Sequence, residues 1–310
     1  MWIPRAKGGI CNLAFKQHFK QKAYTMGAWG EGIYDDDEAL DLRDTIRLLS
    51  KIPLSGDAIV DILLNEFEHG ENLDDDGCPT FWIVVADQFE KKGISCPRAF
   101  ELAIRAIETG ADINDLQSRG MEDKGLVNRE KITANLLPRL QLPRDKKRSQ
   151  GKNPMRNCAQ AGQIYTFPTM GGTGFNAWFP SWERSGFQPD GWGALVIVET
   201  GLVFDWYPYC SYSALVVRAN RKPSLEDALN SKTMFRDGVA YCLPRPSHFK
   251  KMQMELLGTF DVDQAKARQM IRLSDRTPKR AVLCDWSICS GALGATGKHV
   301  GYFPVRKLLR

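Results

Sequence analysis

The 310-residue chain has no apolar run long enough to cross a bilayer. About 18 uncharged apolar residues would be needed, and the longest stretch, Trp192 to Phe204, is broken by Glu199 and Gly201. Histidine is scarce. His18, His69, His248 and His299 are the only ones, and none sits in a nucleophile motif of the kind that acyl transfer requires. There is no Cys-x-x-Cys pair. Cys284, Cys289 and His299 supply three zinc ligands at most, with no obvious fourth. The glycine-rich Met170–Gly174 is followed by no Lys-Ser or Lys-Thr, so it is no phosphate loop and reads as a hairpin turn. Asn72, Asp74, Asp76 and Gly77 open like a calcium loop, but Ile83 stands where the bidentate glutamate belongs. These acids read better as helix caps. No metal, no cofactor and no catalytic residue is therefore expected, and the chain is not expected to be an enzyme.

A secretory signal is also missing. Residues 1–25 carry Arg5, Lys7, Lys16, Lys20 and Lys22 but no continuous apolar segment. They read as a loosely ordered basic extension, and Met26 can serve as a translation start. The eight cysteines are Cys11, Cys78, Cys96, Cys158, Cys210, Cys242, Cys284 and Cys289. In a chain of this length without a signal they are expected as thiols in a reducing cytoplasm.

What the sequence does have is a divided charge. The net value of +5 resolves into +5 over residues 1–25, −14 over 26–118, +7 over 119–156 and +7 over 157–310. Such asymmetry points to association through the protein's field. The acidic part can face a basic partner, or the basic connector of its own chain. Charge alone leaves both open.

Periodicity predicts an α+β fold in two parts. Asp36–Leu49 places Leu40, Ile46 and Leu49 on an apolar stripe behind an acidic first turn. Ser55 is positioned to cap a second helix carrying Ile59, Ile62, Leu63 and Phe67 and closed by Gly70. A third helix is predicted over Thr80–Lys92 with Gly93 behind it; its FWIVVA run imitates a strand, but DQFEKKG favours helix. A fourth runs from Pro97 to Gly110 and buries Phe100, Ile104 and Ile107. A last one spans Asn128–Leu137, before Pro138.

Residues 138–157, rich in proline, lysine and arginine, read as a linker. Lys146-Lys147-Arg148 is a weak nucleic-acid motif and a more ordinary solvated run. Beyond it, GQIYTFP, FNAWF, WGALVIVE, GLVFDWY and YSALVVR are short, β-branched and aromatic, as a mostly antiparallel β domain requires. Glu199-Thr200-Gly201 reads as a tight hairpin. Later strands are predicted at Met252–Leu257, Arg280–Asp285 and Val300–Phe303, with a helix at Val262–Arg272. The expected organisation is thus an extension (1–25), a helical domain (26–137), a linker (138–157) and a β-rich domain (158–310).

Two clusters are candidates for binding. In Met26–Asp37, Gly27, Gly30 and Gly32 permit turns, Trp29 and Tyr34 can bury large area, and Asp35, Asp36 and Asp37 can cap the first helix. A structural role is favoured for the Gly, Trp and Tyr positions. The acids, with Asp74, Asp75 and Asp76, are the candidate partner-binding surface. In the aromatic segment 175–192, Trp178 and Phe179 are assigned to the core. Trp182 and Arg184 are left as interface candidates, since Trp and Arg concentrate interface energy.

The opening MGAWGEGIYDDD resembles the start of a bacterial family called domain of unknown function 4259, with Asp36 where that family more often has Asn. FWIVVADQFEKKGI and AIETGADINDL resemble its later helices, so the resemblance covers about residues 26–140. Gly162–Pro168 is similar to the opening of the immunity protein 26 family of polymorphic-toxin systems, with Gln163 for the common Asp. Glu255–Gly258 is similar to a later strand of it. The second resemblance implies a cytoplasmic immunity protein that binds and neutralises a cognate toxin, and it supplies no catalytic residues. If the acidic domain faces that toxin, the toxin surface is expected to be basic, as a nuclease cleft is. The alternatives are a nucleic-acid-binding or regulatory protein using the linker and β domain, and a Cys/His hydrolase.

Overall fold

The computed structural model describes residues 30–217, 220–234, 240–270, 277–283, 285–288 and 302–310. The fold is α+β, and the chain divides into two compact units between Asn153 and Pro154.

The first unit is helical. Helix α1 (Asp37–Leu49) is capped by Asp36, whose carboxylate accepts from the Glu38 N–H at 2.8 Å. It buries Leu42, Ile46 and Leu49; Leu40, expected on this stripe, is only half-buried. Helix α2 (Gly56–Phe67) is capped by Ser55 as its sequence predicts. It ends on Glu68, which adopts a left-handed φ of 58°, two residues before the predicted Gly70. Helix α3 (Cys78–Lys92) is the centre of the unit and is buried continuously from Cys78 to Glu90. A helix covered on all sides needs no polar face, which is why FWIVVA imitates a strand.

Helix α4 (Pro97–Glu108) turns Ala99, Leu102, Ala103 and Ala106 inward. The predicted Phe100, Ile104 and Ile107 are half-buried flanks, because small alanines let α4 lie close to its neighbour. A short α5 (Ala111–Ser118), absent from the sequence reading, follows Gly110. Helix α6 (Asp123–Gln141) starts earlier than predicted and runs through Pro138. Pro138 forfeits one helical bond, but the fully buried Leu140 holds the last turn in place.

The basic segment after α6 is no free linker, contrary to the sequence reading. Residues 142–153 form a strap along the helical unit. Arg148 donates to four carbonyls at and beyond the end of α1: Leu49 at 3.0 Å, Ser50 at 2.8 Å, Ile52 at 2.6 Å and Leu54. A helix end leaves its last carbonyls without partners and carries partial negative charge, and a guanidinium offers five donors. Lys146 Nζ donates to the Lys91 carbonyl at 2.6 Å, and the Gly151 N–H to that of Lys51 at 2.8 Å. Gly93, at φ 68°, caps α3 directly under this strap; a Cβ there would lie 2.1 Å from the Lys146 carbonyl oxygen. Gly93→Ala is expected to cost the helical unit about 1–3 kcal/mol, read as a lowered urea midpoint by far-ultraviolet circular dichroism. An unchanged midpoint would contradict the docked strap.

The second unit is an antiparallel sheet. Strands β1 (Gln163–Met170) and β2 (Thr173–Gly174) are joined by the predicted turn, with Gly171 and Gly172 at φ 57° and 78°. A single-turn α7 (Trp182–Ser185) precedes β3 (Gly191–Val203) and β4 (Tyr207–Val216). Helix α8 (Leu225–Asn230), β5 (Lys232–Thr233), β6 (Ala240–Cys242), α9 (Pro246–Lys251), β7 (Glu255–Thr259), α10 (Gln264–Met270) and α11 (Thr277–Leu283) follow, then a 3-10 turn at Val305–Leu308. The order is β2-β1-β3-β4-β5, with β6 also on β4 and β7 also on β1. Both faces are covered. Tyr165, Phe167, Leu195, Ile197, Cys210 and Tyr212 pack on one side, with Phe175 and Phe187. Ile164, Ala194, Val196, Val198 and Leu215 pack on the other, under α8, α10 and the 3-10 turn. Two buried faces explain why GALVIV reads as an unbroken apolar run.

Four predictions for this unit need correction. Glu199, Thr200 and Gly201 are not a hairpin but lie inside β3, paired with Ser211, Cys210 and Tyr209. The turn falls at Phe204–Trp206, with Phe204 and Asp205 both at positive φ. FNAWF forms no strand. Arg280–Leu283 belongs to α11, with Pro278 in its first turn. Tyr302 and Phe303 lie outside any strand, and the rest of Val300–Phe303 is outside the described residues.

Candidate functional site

Four acids of the helical unit, Asp36, Asp87, Glu90 and Asp112, are buried, while most of the others are exposed. Gly27 and Trp29 of the opening motif lie outside the described residues. Beyond them, Asp35 accepts from the Gly32 N–H at 2.8 Å, and its carboxyl packs against both Gly30 and Gly32. Tyr34 donates its hydroxyl to Asp87 and accepts from Gln88. Burial, then Asp87, pushes its pKa far up. Lys91 and Arg43 flank its ring, 5.2 and 5.7 Å from the centroid. Asp36 caps α1 and also pairs with Arg119 at 2.6 Å. Of the three acids predicted to face a partner, only Asp37 is exposed.

Further in, Arg129 grips Asp112 through Nε at 2.8 Å and Nη2 at 3.0 Å, with Thr80 donating to the same carboxylate. Glu90 receives Arg139 and Arg144, and Asp87 receives Lys91. The basic connector of the same chain thus neutralises part of the acidic domain, one of the two readings that charge left open.

Asp74, Asp75 and Asp76 do remain exposed. They do not cap α3 with their side chains. The cap position is Gly77, and its N–H bonds to Asp115 at 2.9 Å. Asn72 donates to Asp75 at 2.8 Å and shapes the loop. No group of three His, Cys, Asp or Glu among the described residues is placed to hold a metal ion.

This loop borders a cleft of about 220 Å³. Ala39, Leu42, Phe81 and Val84 line it with apolar surface; Glu38, His69, Asp76, Asp36 and Arg119 supply its polar groups. His69 Nε2 lies 2.6 Å from Glu38 Oε1, and its ring packs 4.8 Å from that of Phe81. Of its charged lining residues, Asp36 pairs with Arg119 and Glu38 is bonded to His69, while Asp76 stands exposed at the edge. Glu38 and His69 carry no shared signal in the sequence because they are 31 residues apart, one in α1 and the other just after α2.

In the β unit the expected roles of the aromatics are exchanged. Trp178 and Phe179, predicted core, are 40% and 39% exposed. Phe175 and Phe187 fill the core instead, with half-buried Trp182 against them. Trp182 Nε1 donates to the Lys251 carbonyl at 2.8 Å, so this residue is a structural anchor. Arg184 is exposed. Trp178 stands edge-on to His248, with the Arg245 guanidinium 5.7 Å from its ring centroid.

His248 Nδ1 lies 2.5 Å from Ser287 Oγ. Burial, then Arg245 and Lys251, pushes the His248 pKa down to about 4, so the ring is neutral at pH 7. Ser287 is itself buried. The open cleft that holds His69 is lined by no cysteine. The Cys284, Cys289 and His299 set lies outside the described residues. Comparison with protein-family models, with curated proteins and with solved structures finds no match for the chain. No helix among the described residues is long and apolar enough to cross a membrane.

Proposed function

We propose that the chain is a bacterial immunity-type protein that acts in the cytoplasm. It binds a basic toxin by protein–protein contact and has no catalysis of its own. The carrying observation is the acid-rimmed cleft. Its apolar lining suits the methylene stem of a lysine or arginine, and Glu38 and Asp76 suit the charged head. The resemblance of Gly162–Pro168 and Glu255–Gly258 to the immunity protein 26 family supports the same direction, whereas residues 26–140 resemble a family of unknown function. The nucleic-acid alternative uses the basic segment and the β unit; within that segment Arg144 and Arg148 already donate to Glu90 and to backbone carbonyls.

The test is a pull-down of the tagged protein from its native bacterium at low and high salt, then association kinetics with the partner recovered. Charge reversal at Glu38→Lys and Asp76→Lys together is expected to slow association at least about tenfold at low salt and to flatten its salt dependence. An unchanged rate would remove the cleft as the contact. Recovery of nucleic acid alone would overturn the toxin-binding reading.

A further inference from the structure

The β unit holds a thiol pair that toxin binding does not use. Cys210 in β4 and Cys242 in β6 are direct partners across an antiparallel ladder. Both are fully buried, and their sulfurs are 3.3 Å apart. Directly opposed residues in such a ladder have Cα atoms about 4.5–5.5 Å apart, inside the roughly 4.4–6.8 Å that a disulfide spans. The general spacing of opposed ladder positions is thus compatible with a disulfide. The two sulfurs need only close to about 2.05 Å.

The other described thiols lack this geometry. Cys78 Sγ bonds to the Gly70 carbonyl, and Cys96 Sγ to Asp57. Cys158, half-buried, lies near enough to Cys210 for their charges to interact, which makes it the competitor that a test must exclude.

We propose that Cys210 and Cys242 are a peroxide-oxidisable pair that closes into a disulfide stapling β6 to β4. The oxidant is hydrogen peroxide, small enough to enter a closed core. One sulfur attacks the peroxide and takes one oxygen, forming a sulfenic acid and releasing water. The second sulfur attacks the first, the S–O bond breaks, and a second water leaves as the S–S bond forms. The thiols lose two hydrogens and two electrons, and the peroxide is reduced to two waters.

The experiment uses the full chain under native conditions. It is exposed to hydrogen peroxide, quenched in acid, alkylated in denaturant, digested and mapped by mass spectrometry. The expected result is one cross-link, between the Cys210 and Cys242 peptides, reversed by dithiothreitol, with Cys78 and Cys96 still alkylated. Cys242→Ala is expected to abolish the link and leave Cys210 as a sulfenic acid trapped by dimedone. Full alkylation of both cysteines after prolonged exposure would overturn the proposal, as would a link from either one to Cys158 or to any other cysteine. The wild-type map decides even if the variant fails to fold.

Discussion

Arg129→Met is expected to destabilise the helical unit by about 3–5 kcal/mol, the cost of leaving one member of a buried ion pair alone. Arg129 and Asp112 are both nearly inaccessible to solvent, and the guanidinium meets the carboxylate through two nitrogens. Methionine fills most of the volume but gives Asp112 nothing except the Thr80 hydroxyl. The carboxylate must then stay charged in an apolar site or take up a proton, and both outcomes cost free energy. Urea unfolding followed by far-ultraviolet circular dichroism reads the loss. Arg129→Met combined with Asp112→Leu is expected to recover most of it, because an apolar pair removes the stranded charge. A single variant as stable as the wild type would contradict the buried pair.

Acid is expected to loosen the strap through Glu90. The hydrogen bond from Arg144 and that from Arg139, against the opposing effect of burial, hold the Glu90 pKa down at about 2, against an ordinary 4.5. A depressed carboxylate stabilises the fold fully above the unfolded value. Below about pH 4.5 the unfolded chain takes up a proton that the folded chain refuses, so stability falls as pH drops from there toward 2. Arg139 and Arg144 are 39% and 63% exposed. Solvent screening therefore reduces the effect to about 2 kcal/mol. Glu90→Gln keeps the shape and removes the charge. It is expected to lower stability at pH 7 and to flatten the profile between pH 4.5 and 2. Parallel profiles for the two proteins would show that Glu90 does not carry the acid response.

Local chemistry was legible in the sequence. Asp36 and Ser55 cap helices, Gly93 ends one and Pro97 begins one, because each acts through its own backbone or the next turn. What required the fold was whatever depends on partners far along the chain. Leu140 holds α6 together past Pro138. Phe204 and Asp205 turn the β3–β4 hairpin at positive φ with no glycine to mark it, while Glu199-Thr200-Gly201 has the glycine and stays in the strand. Trp178 was placed inside by its size, yet Phe175 and Phe187 take that space. The Asp74–Asp76 loop stands out in the sequence and is exposed in the fold. The cleft beside it does not stand out, since Glu38, His69 and Phe81 come from separate elements.

The strap also sets an order of events during synthesis. Glu90 emerges from the ribosome 54 residues before Arg144, which at usual elongation rates is roughly 3–11 s. Through that interval the nascent chain has α3 but lacks the arginines that neutralise its buried glutamate, and α1 lacks the guanidinium that closes its carbonyl end. The helical unit therefore completes itself only when its last dozen residues arrive. A ribosome stalled before Arg144 would display an unfinished helical bundle to chaperones and proteases.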